Sequence, residues 1–383
     1  MRCVLVGPTY PFRGGIAHYS TLLCQALSQR HQVEFISFRR QYPRWLFPGR
    51  TDRDPSQPPP TVRARRILDP FDPWTWLQVA RRTRELEADL LLLQWWVPFW
   101  APAWWSIARL TRYWARTRVL FICHNVLPHE QRWQDRRLAR WVLNQGQAFI
   151  VHSERDRQDL VELIPGASVK RAFLPTYEGL LGMNPRTLLY KPPQPSEARK
   201  RLGLGAEAAV ILFFGFVREY KGLRYLIEAM PHILSRLDAH LLVVGEFWDD
   251  PDPYRRKIAE LGLEHRTTIV DRYVPDEEAG LYFAAADLVA LPYVDATQSA
   301  VVQLAFGLGV PVVTTRVGGL AEVVQDGVTG LLVPARQSAA LAEAVVRFFD
   351  EGLGPSLRDN IRAQADRFSW DRLLAIIEEL ARP

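Results

Sequence analysis

The sequence predicts an α/β protein made of two doubly wound, parallel-sheet domains, and three observations carry that expectation. Short apolar runs alternate with amphipathic stretches along the whole chain. The runs are continuous in Val, Ile and Leu, as in strands covered on both faces by helices. The alternation occurs twice, on either side of a proline-rich stretch, which reads as two β-α units of the same class.

In the first half, residues 3–6, 33–38, 90–94, 119–122 and 149–151 read as strands. Residues 45–61, rich in Pro, Arg and Asp, read as a long surface loop. The seam is expected between residues 177 and 204, where Lys191-Pro-Pro-Gln-Pro-Ser suits neither helix nor strand. The second half offers strands at 210–214, 240–244, 268–270, 288–291, 312–314 and 331–333. Near the end, Trp370, Leu373, Leu374, Ile377 and Leu380 fall at helical spacing and make one apolar face. The expected division is 1–185, 195–367, and a last helix at 368–383 crossing back to the first domain.

The chain has 383 residues, 48% hydrophobic and 23% charged, a globular composition. Its formal net charge of +6 suits phosphates, anionic lipid or nucleic acid, and equally an ordinary solvated surface. Cys3, Cys24 and Cys123 have no paired spacing, which argues against a disulfide framework or a zinc site. Buried thiols in a reducing compartment are the simple account. No signal-like segment is visible, so a cytoplasmic location is expected, including the inner face of the membrane. The apolar stretch 90–107 is interrupted by Pro98 and Pro102 and flanked by Asp89 and Arg109, and its start suits a buried strand better than a membrane span.

Phe213-Phe-Gly-Phe-Val-Arg-Glu-Tyr-Lys-Gly222 reads as a strand, a turn and a helix start. Gly215 permits the tight exit from the sheet. Arg218 and Lys221 then stand where open α/β sheets bind ligands, and two fixed cations suit a diphosphate. Taken alone, the segment reads equally well as a solvated basic loop. In a second loop, Thr297, Gln298, Ser299 and Ala300 lead into a helix whose free N–H groups would favour an anion, though a plain N-cap has the same sequence. Gly318 and Gly319 follow a strand and allow close backbone approach, with Glu322 capping that loop or facing the site. In the first half, an apolar strand ends abruptly in His124-Asn-Val-Leu-Pro-His129-Glu130. A neutral histidine there can donate to a sugar hydroxyl or share a proton. A metal reading of His124, His129 and Glu130 lacks helical ligand spacing.

From FFGFVREYKG through LLVVGE, GVPVV and GGLAEVVQDGVTGLLV, the second half resembles in order the family 4 (group 1) glycosyltransferases. The resemblance implies the GT-B fold, two doubly wound Rossmann-like domains facing a central cleft. It implies retaining transfer of a sugar from a nucleoside-diphosphate donor to a glycan or lipid-linked acceptor, with no metal or other cofactor. By that resemblance Lys221 and Arg218 hold the donor diphosphate, His124 stands near the transferred sugar, and Gly15 meets the donor phosphates. His18, His129 and Glu130 would shape the acceptor pocket. Two departures are plain. Phe216 occupies the place of the family's arginine after the glycine. The family's paired glutamates fall on Ala296 and Leu304, while Asp295 and Gln303 keep their eight-residue separation one position earlier. Asp295 and Gln303, with the backbone of 297–300, are the expected substitutes.

The implied chemistry is front-face substitution, with the leaving diphosphate taking the acceptor's proton and the protein neutralising leaving-group charge. Two other readings share the fold: an epimerase or phosphorylase, and a non-catalytic nucleotide-binding module. Finally, Trp95, Trp96, Trp100, Trp104, Trp105 and Trp114 crowd into one region with Arg109, Arg112, Arg116 and Arg118. Trp beside Arg is the composition of an interfacial membrane element and equally of a buried helix with a wet arginine face. The cluster is too continuous for a nucleic-acid surface of interleaved stacking residues, so no nucleic-acid partner is expected.

Overall fold

The computed structural model describes residues 1–43, 49–57, 62–128, 133–177 and 193–382. The chain divides into two compact units. The first comprises Met1–Asp54, Pro59–Pro175 and Ser369–Pro383; the second comprises Pro55–Pro58 and Thr176–Phe368.

The first unit holds strands β1 (Arg2–Val6), β2 (Gln32–Phe38), β3 (Ala64–Leu68), β4 (Leu90–Trp95), β5 (Arg118–Cys123), β6 (Ala148–Val151) and β7 (Val169–Arg171). They form one parallel sheet in the order β3-β2-β1-β4-β5-β6-β7. Every strand expected from the sequence is present, and β3 and β7 are additional. Both additions are edge strands, and the exposed basic residues in Ala-Arg-Arg and Val-Lys-Arg break up any apolar run to read. One face of the sheet packs on helices Pro73–Glu85, Ala101–Trp114, Trp133–Leu143 and Glu154–Leu163 through Val79, Trp104, Ile107, Val142 and Leu160. Successive strand residues point to opposite faces. The helices Gly15–Ser28 and Trp370–Ala381 pack on each other, and Leu373, Leu374, Ile377 and Leu380 of the latter are buried as its spacing implies. Arg30–Asp371, His31–Glu378 and Lys170–Glu379 ion pairs tie the last helix to the first unit.

The tryptophan-rich segment only in part meets the interfacial expectation. Trp95 lies in β4, and Trp95, Trp100 and Trp104 are fully buried. Trp100 and Trp104 stack at 5.5 Å, and Phe38 lies 4.5 Å from Trp100. These rings fill the space between sheet and helix, where burying a large aromatic outweighs any gain at a surface. Arg109, Arg112 and Arg116 stay exposed, while Arg118 is half-buried. Among the described residues, no helix is long and apolar enough to cross a membrane. Cys3, Cys24 and Cys123 are free and buried. Within the expected surface loop, Asp54 and Ser56 are buried, and the Asp54 N–H donates to Pro11 O at 2.9 Å.

The second unit holds β8 (Ala209–Phe214), β9 (Ala239–Val244), β10 (Thr267–Val270), β11 (Leu288–Leu291), β12 (Val312–Thr315) and β13 (Gly330–Val333). They form a parallel sheet in the order β10-β9-β8-β11-β12-β13. Strand order therefore reverses between β8 and β11, and the carboxyl ends of strands at such a reversal are where open α/β sheets bind ligands.

Those loops touch through glycines. A Cβ on Gly222 (φ +68°) would stand 2.0 Å from Pro292 O, and one on Gly318 (φ +41°) 1.8 Å from Ala296 O. The post-β8 and post-β12 loops thus lie backbone against backbone on the post-β11 loop, which leaves no room for a side chain. Gly222→Ala is expected to cost on the order of 3 kcal/mol, the sum of positive-φ strain and overpacking. Gly203→Ala, also at positive φ but with nothing within 4 Å of its Cβ, should cost about 1 kcal/mol. Urea unfolding midpoints of the two variants compare them directly, and equal costs would contradict the close packing of these loops.

Candidate functional site

After β8 the chain turns at Gly215, makes a short 3₁₀ turn at Glu219–Lys221, passes Gly222 in the left-handed region and enters the helix Leu223–Leu234. This path drives Lys221 inward. The residue is 8% exposed, and its Nζ lies 5.5 Å from the Tyr293 ring centre. Among the described residues no carboxylate pairs with it. Burial, and secondarily the charge of Arg218, push its pKa down from 10.5 to about 8. At neutral pH the ammonium is still charged, at a cost of roughly 3 kcal/mol. Buried charges are normally paired, and among the described residues this one has no carboxylate partner.

Arg218 is half-buried, with its guanidinium 5.6 Å from the Tyr220 ring and 5.8 Å from the Trp248 ring. Among the described residues it also lacks a carboxylate partner. Phe216 lies 4.4 Å from Trp248 and 5.9 Å from Tyr273, so the loops after β8, β9 and β10 contribute one half-exposed aromatic layer. The residue standing where the resemblance expects an arginine therefore packs with rings, and Arg218 lies against the same layer.

The loop after β11 is anchored by its backbone. Val294 N–H donates to Tyr220 O at 2.7 Å, Gly319 N–H to Ala296 O at 3.3 Å, and Thr315 Oγ1–H to Tyr293 O at 2.5 Å. Ser299 caps the helix Ala300–Gly307, its Oγ accepting from Val302 N–H at 3.4 Å. Thr297 and Ser299 are buried, while Gln298 and Asp295 are half-buried; the charge of Asp295 reaches Tyr220. Gln303 lies one turn into that helix, 1% exposed, and its Oε1 has no hydrogen-bond partner. Leaving such an acceptor buried costs about 1–3 kcal/mol. Glu322 sits in the short helix Leu320–Val323 just after Gly318-Gly319, and its carbonyl accepts from the Arg367 guanidinium at 2.7 Å. Lys221, Arg218, Gly215, Asp295, Thr297 to Ala300, Gln303, Gly318 and Gly319 thus belong to loops or helix starts at one edge of the second sheet.

The first unit carries a separate polar cluster at its own carboxyl edge. His124 ends β5, is 3% exposed and donates from Nε2 to Gln94 Oε1 at 2.6 Å. His152 follows β6, is equally buried and donates from Nδ1 to Ala172 O at 2.8 Å. The rings of Tyr19 and His124 meet edge-on at 4.7 Å, and Tyr19 also faces His152 and Trp370. Desolvation holds both histidines neutral: His124 titrates well below its usual range, and His152 at about 4. The Nε2 of His152 and the Nε2 of Gln94 are buried with no partner. His18 pairs with Asp54 at 3.1 Å. Gly15 opens the helix Gly15–Ser28, whose N-cap is Gly14 at φ 108° with no side-chain cap. His129 and Glu130 lie outside the described residues.

Sequence reasoning missed Gln94, His152, Tyr293 and Trp248. A signal existed for two of them. Gln94 is the one polar residue closing Leu90-Leu-Leu-Leu, and His152 ends an apolar strand in the same way as His124. Tyr293 and Trp248 gain meaning only from the sheet order that brings their loops beside Lys221 and Arg218.

Residues 13–170 match the family model described as Glycosyltransferase Family 4, and residues 208–351 match that described as Glycosyl transferases group 1. A D-inositol 3-phosphate glycosyltransferase from Acidothermus cellulolyticus is 32% identical over 194 residues, 48% of this chain and 43% of that protein. One from Xylanimonas cellulosilytica is 32% identical over 246 residues, 61% of this chain and 56% of that protein. The chain spans about half the length of the curated relatives it matches. Among solved structures, Anabaena Alr3699/HepE in complex with UDP superposes with a TM-score of 0.74 at 21% identity, covering 99% of both chains. A sucrose-phosphate synthase from Thermosynechococcus elongatus gives 0.72 at 20% identity, covering 99% of this chain and 98% of that one. The fold is therefore GT-B, two Rossmann-like parallel-sheet domains, and the chain belongs to the group 1 (family 4) glycosyltransferases.

Proposed function

We propose that this chain is a hexosyltransferase that moves a sugar from a nucleoside-diphosphate donor to a hydroxyl of a glycan or lipid-linked acceptor, with retention of configuration and without a metal. The observation that carries the reading is the buried, unpaired Lys221 at the strand-order reversal of the second sheet. A diphosphate supplies the anion that this ammonium lacks, and Arg218 offers a second cation to the same group. Family membership and the UDP and UDP-glucose complexes of Alr3699/HepE support a sugar nucleotide as the ligand.

In this reading Lys221 and Arg218 take up charge as the donor's glycosidic bond breaks, the main electrostatic work of such a transfer. The leaving diphosphate accepts the acceptor's proton on the same face, so no protein carboxylate need form a covalent intermediate. The 297–300 backbone, Gly215, Gly318 and Gly319 approach the donor, Asp295 and Gln303 read its sugar and ribose hydroxyls, and Glu322 steadies the neighbouring turn. The Gln303 Oε1, unpartnered in the buried helix start, is an acceptor for such a hydroxyl. In the first unit, His124 is neutral with its one N–H given to Gln94, so its other ring nitrogen is an acceptor for a sugar hydroxyl; His18 borders the acceptor.

Thermal-shift titration with UDP, GDP, ADP and UDP-glucose tests the donor site. One of the nucleotides should stabilise the protein, and Lys221→Met should weaken it by about 10- to 100-fold, the worth of a charged hydrogen bond. No stabilisation by any nucleotide would overturn the reading. Because free Lys221 titrates at about 8, affinity should hold below that pH and fall by up to about tenfold per unit above it. That fall should be absent in Lys221→Met.

The same group makes a stability prediction. Its folded pKa lies below its unfolded one, so the penalised charged form is destabilising below pH about 8, and the penalty lifts between about 8 and 10.5. Unliganded Lys221→Met should therefore unfold at higher urea than the parent at pH 7, by about 1–3 kcal/mol. A variant less stable than the parent at that pH would show that the ammonium is satisfied.

The histidines act with the same sign in a lower pH window. Both have folded pKa values depressed below 6.5, so the stability they contribute is full above 6.5 and is lost as pH falls toward 4. Melting temperature should drop between pH 7 and 5.5, and His152→Gln should drop less. Identical profiles would exclude this buried pair as the acid-sensitive element.

A further inference from the structure

The helices Ala101–Trp114 and Trp133–Leu143 lie side by side on the outer layer of the first unit. Along the second of them, Trp133, Arg136, Arg137, Arg140 and Trp141 are all exposed and recur at i, i+3, i+4, i+7 and i+8, one continuous stripe. Along the first, Trp105, Arg109, Arg112 and Tyr113 follow the same spacing on its outward side. Trp105 and Trp141 stack across the seam at 4.9 Å with 12° between the rings, which joins the stripes into one surface. Trp133 and Tyr113 are each 77% exposed, a large outlay of aromatic area left in water.

Basic residues dominate the charge on the two helices. The helix Ala101–Trp114 has no acidic residue, and the helix Trp133–Leu143 has only Asp135, which is buried. Arg136 pairs with Glu162 of the next helix at 2.6 Å. Among the described residues, Arg109, Arg112, Arg137 and Arg140 have no carboxylate partner; Arg112 reaches Gln145 O at 3.3 Å, and Arg137 lies over Trp133 at 5.2 Å.

We propose that this face docks on the surface of an anionic phospholipid bilayer. Indole and phenol rings settle at headgroup depth, and guanidinium groups bind lipid phosphates through paired N–H donors. The interleaving of the two along both stripes presents rings and cations at one level, as a flat headgroup layer requires. A nucleic acid is a poorer fit, because Trp105 and Trp141 each spend one ring face on the other and so offer less stacking surface to bases. The surface belongs to the first unit and Lys221 to the second, so the proposal stands whether or not the donor reading does.

Flotation of the full chain with vesicles tests it. The protein should float with phosphatidylcholine vesicles containing phosphatidylglycerol, not with phosphatidylcholine alone, and high salt should release it. Arg109→Gln, Arg137→Gln and Arg140→Gln together should weaken binding by roughly fivefold per arginine, about 100-fold in all. Trp133→Ser with Tyr113→Ser touches only exposed side chains and should weaken binding while leaving the melting temperature unchanged. Equal flotation of parent and both variants would overturn the proposal. So would absence of flotation at low salt, or tighter binding of a duplex DNA oligonucleotide than of the anionic vesicles.

Discussion

The candidate donor site depends on one unfavourable arrangement, a lysine ammonium buried at the carboxyl edge of a parallel sheet with no carboxylate beside it. Much of the second unit serves to impose that position. The parallel order of β8 and β11 creates the reversal, Gly222 turns the chain so that Lys221 points inward, and the Pro292 and Ala296 carbonyls press on glycines that cannot yield. The cost of the arrangement, roughly 3 kcal/mol, is a large share of the 5–15 kcal/mol by which a domain is ordinarily stable. Packing alone gives no reason to retain it.

The chain uses lysine sparingly. Of 48 basic residues only five are lysines, at 170, 191, 200, 221 and 257, and the surface charge is otherwise arginine. A lysine loses its proton far more readily than an arginine when it is desolvated. Its appearance at this position, with Arg218 half-buried against the Tyr220 and Trp248 rings, gives one compact point charge and one broad planar cation.

The strand pattern was legible because strands buried on both faces leave continuous apolar runs, and those runs predicted the central strands of both sheets within a residue or two. The edge strands β3 and β7 were not legible, since an exposed edge needs no apolar signature. For the site, Lys221 and the glycines announced themselves through the turn and helix start around them. The pairing of His124 with Gln94 and the layering of Phe216 on Trp248 and Tyr273 join residues distant in sequence, and only the order of strands brings them together. The two readings of the tryptophan cluster could not be separated for a related reason. Composition reports that Trp and Arg are adjacent along the chain, but helical phase sends Trp100 and Trp104 into the core and leaves Trp133, on another helix, in water.

The central claim is that Lys221 is a buried charge awaiting an anion. The ionisation of that one amine is therefore the decisive quantity. With only five lysines in the chain, reductive ¹³C-methylation and NMR titration can follow each amine separately. Lys221 should titrate near pH 8 in the free protein and above 10 when a nucleoside diphosphate is bound, because the diphosphate favours the charged form. An ordinary lysine value of about 10.4 in the free protein, or a value unmoved by bound nucleotide, would contradict the account.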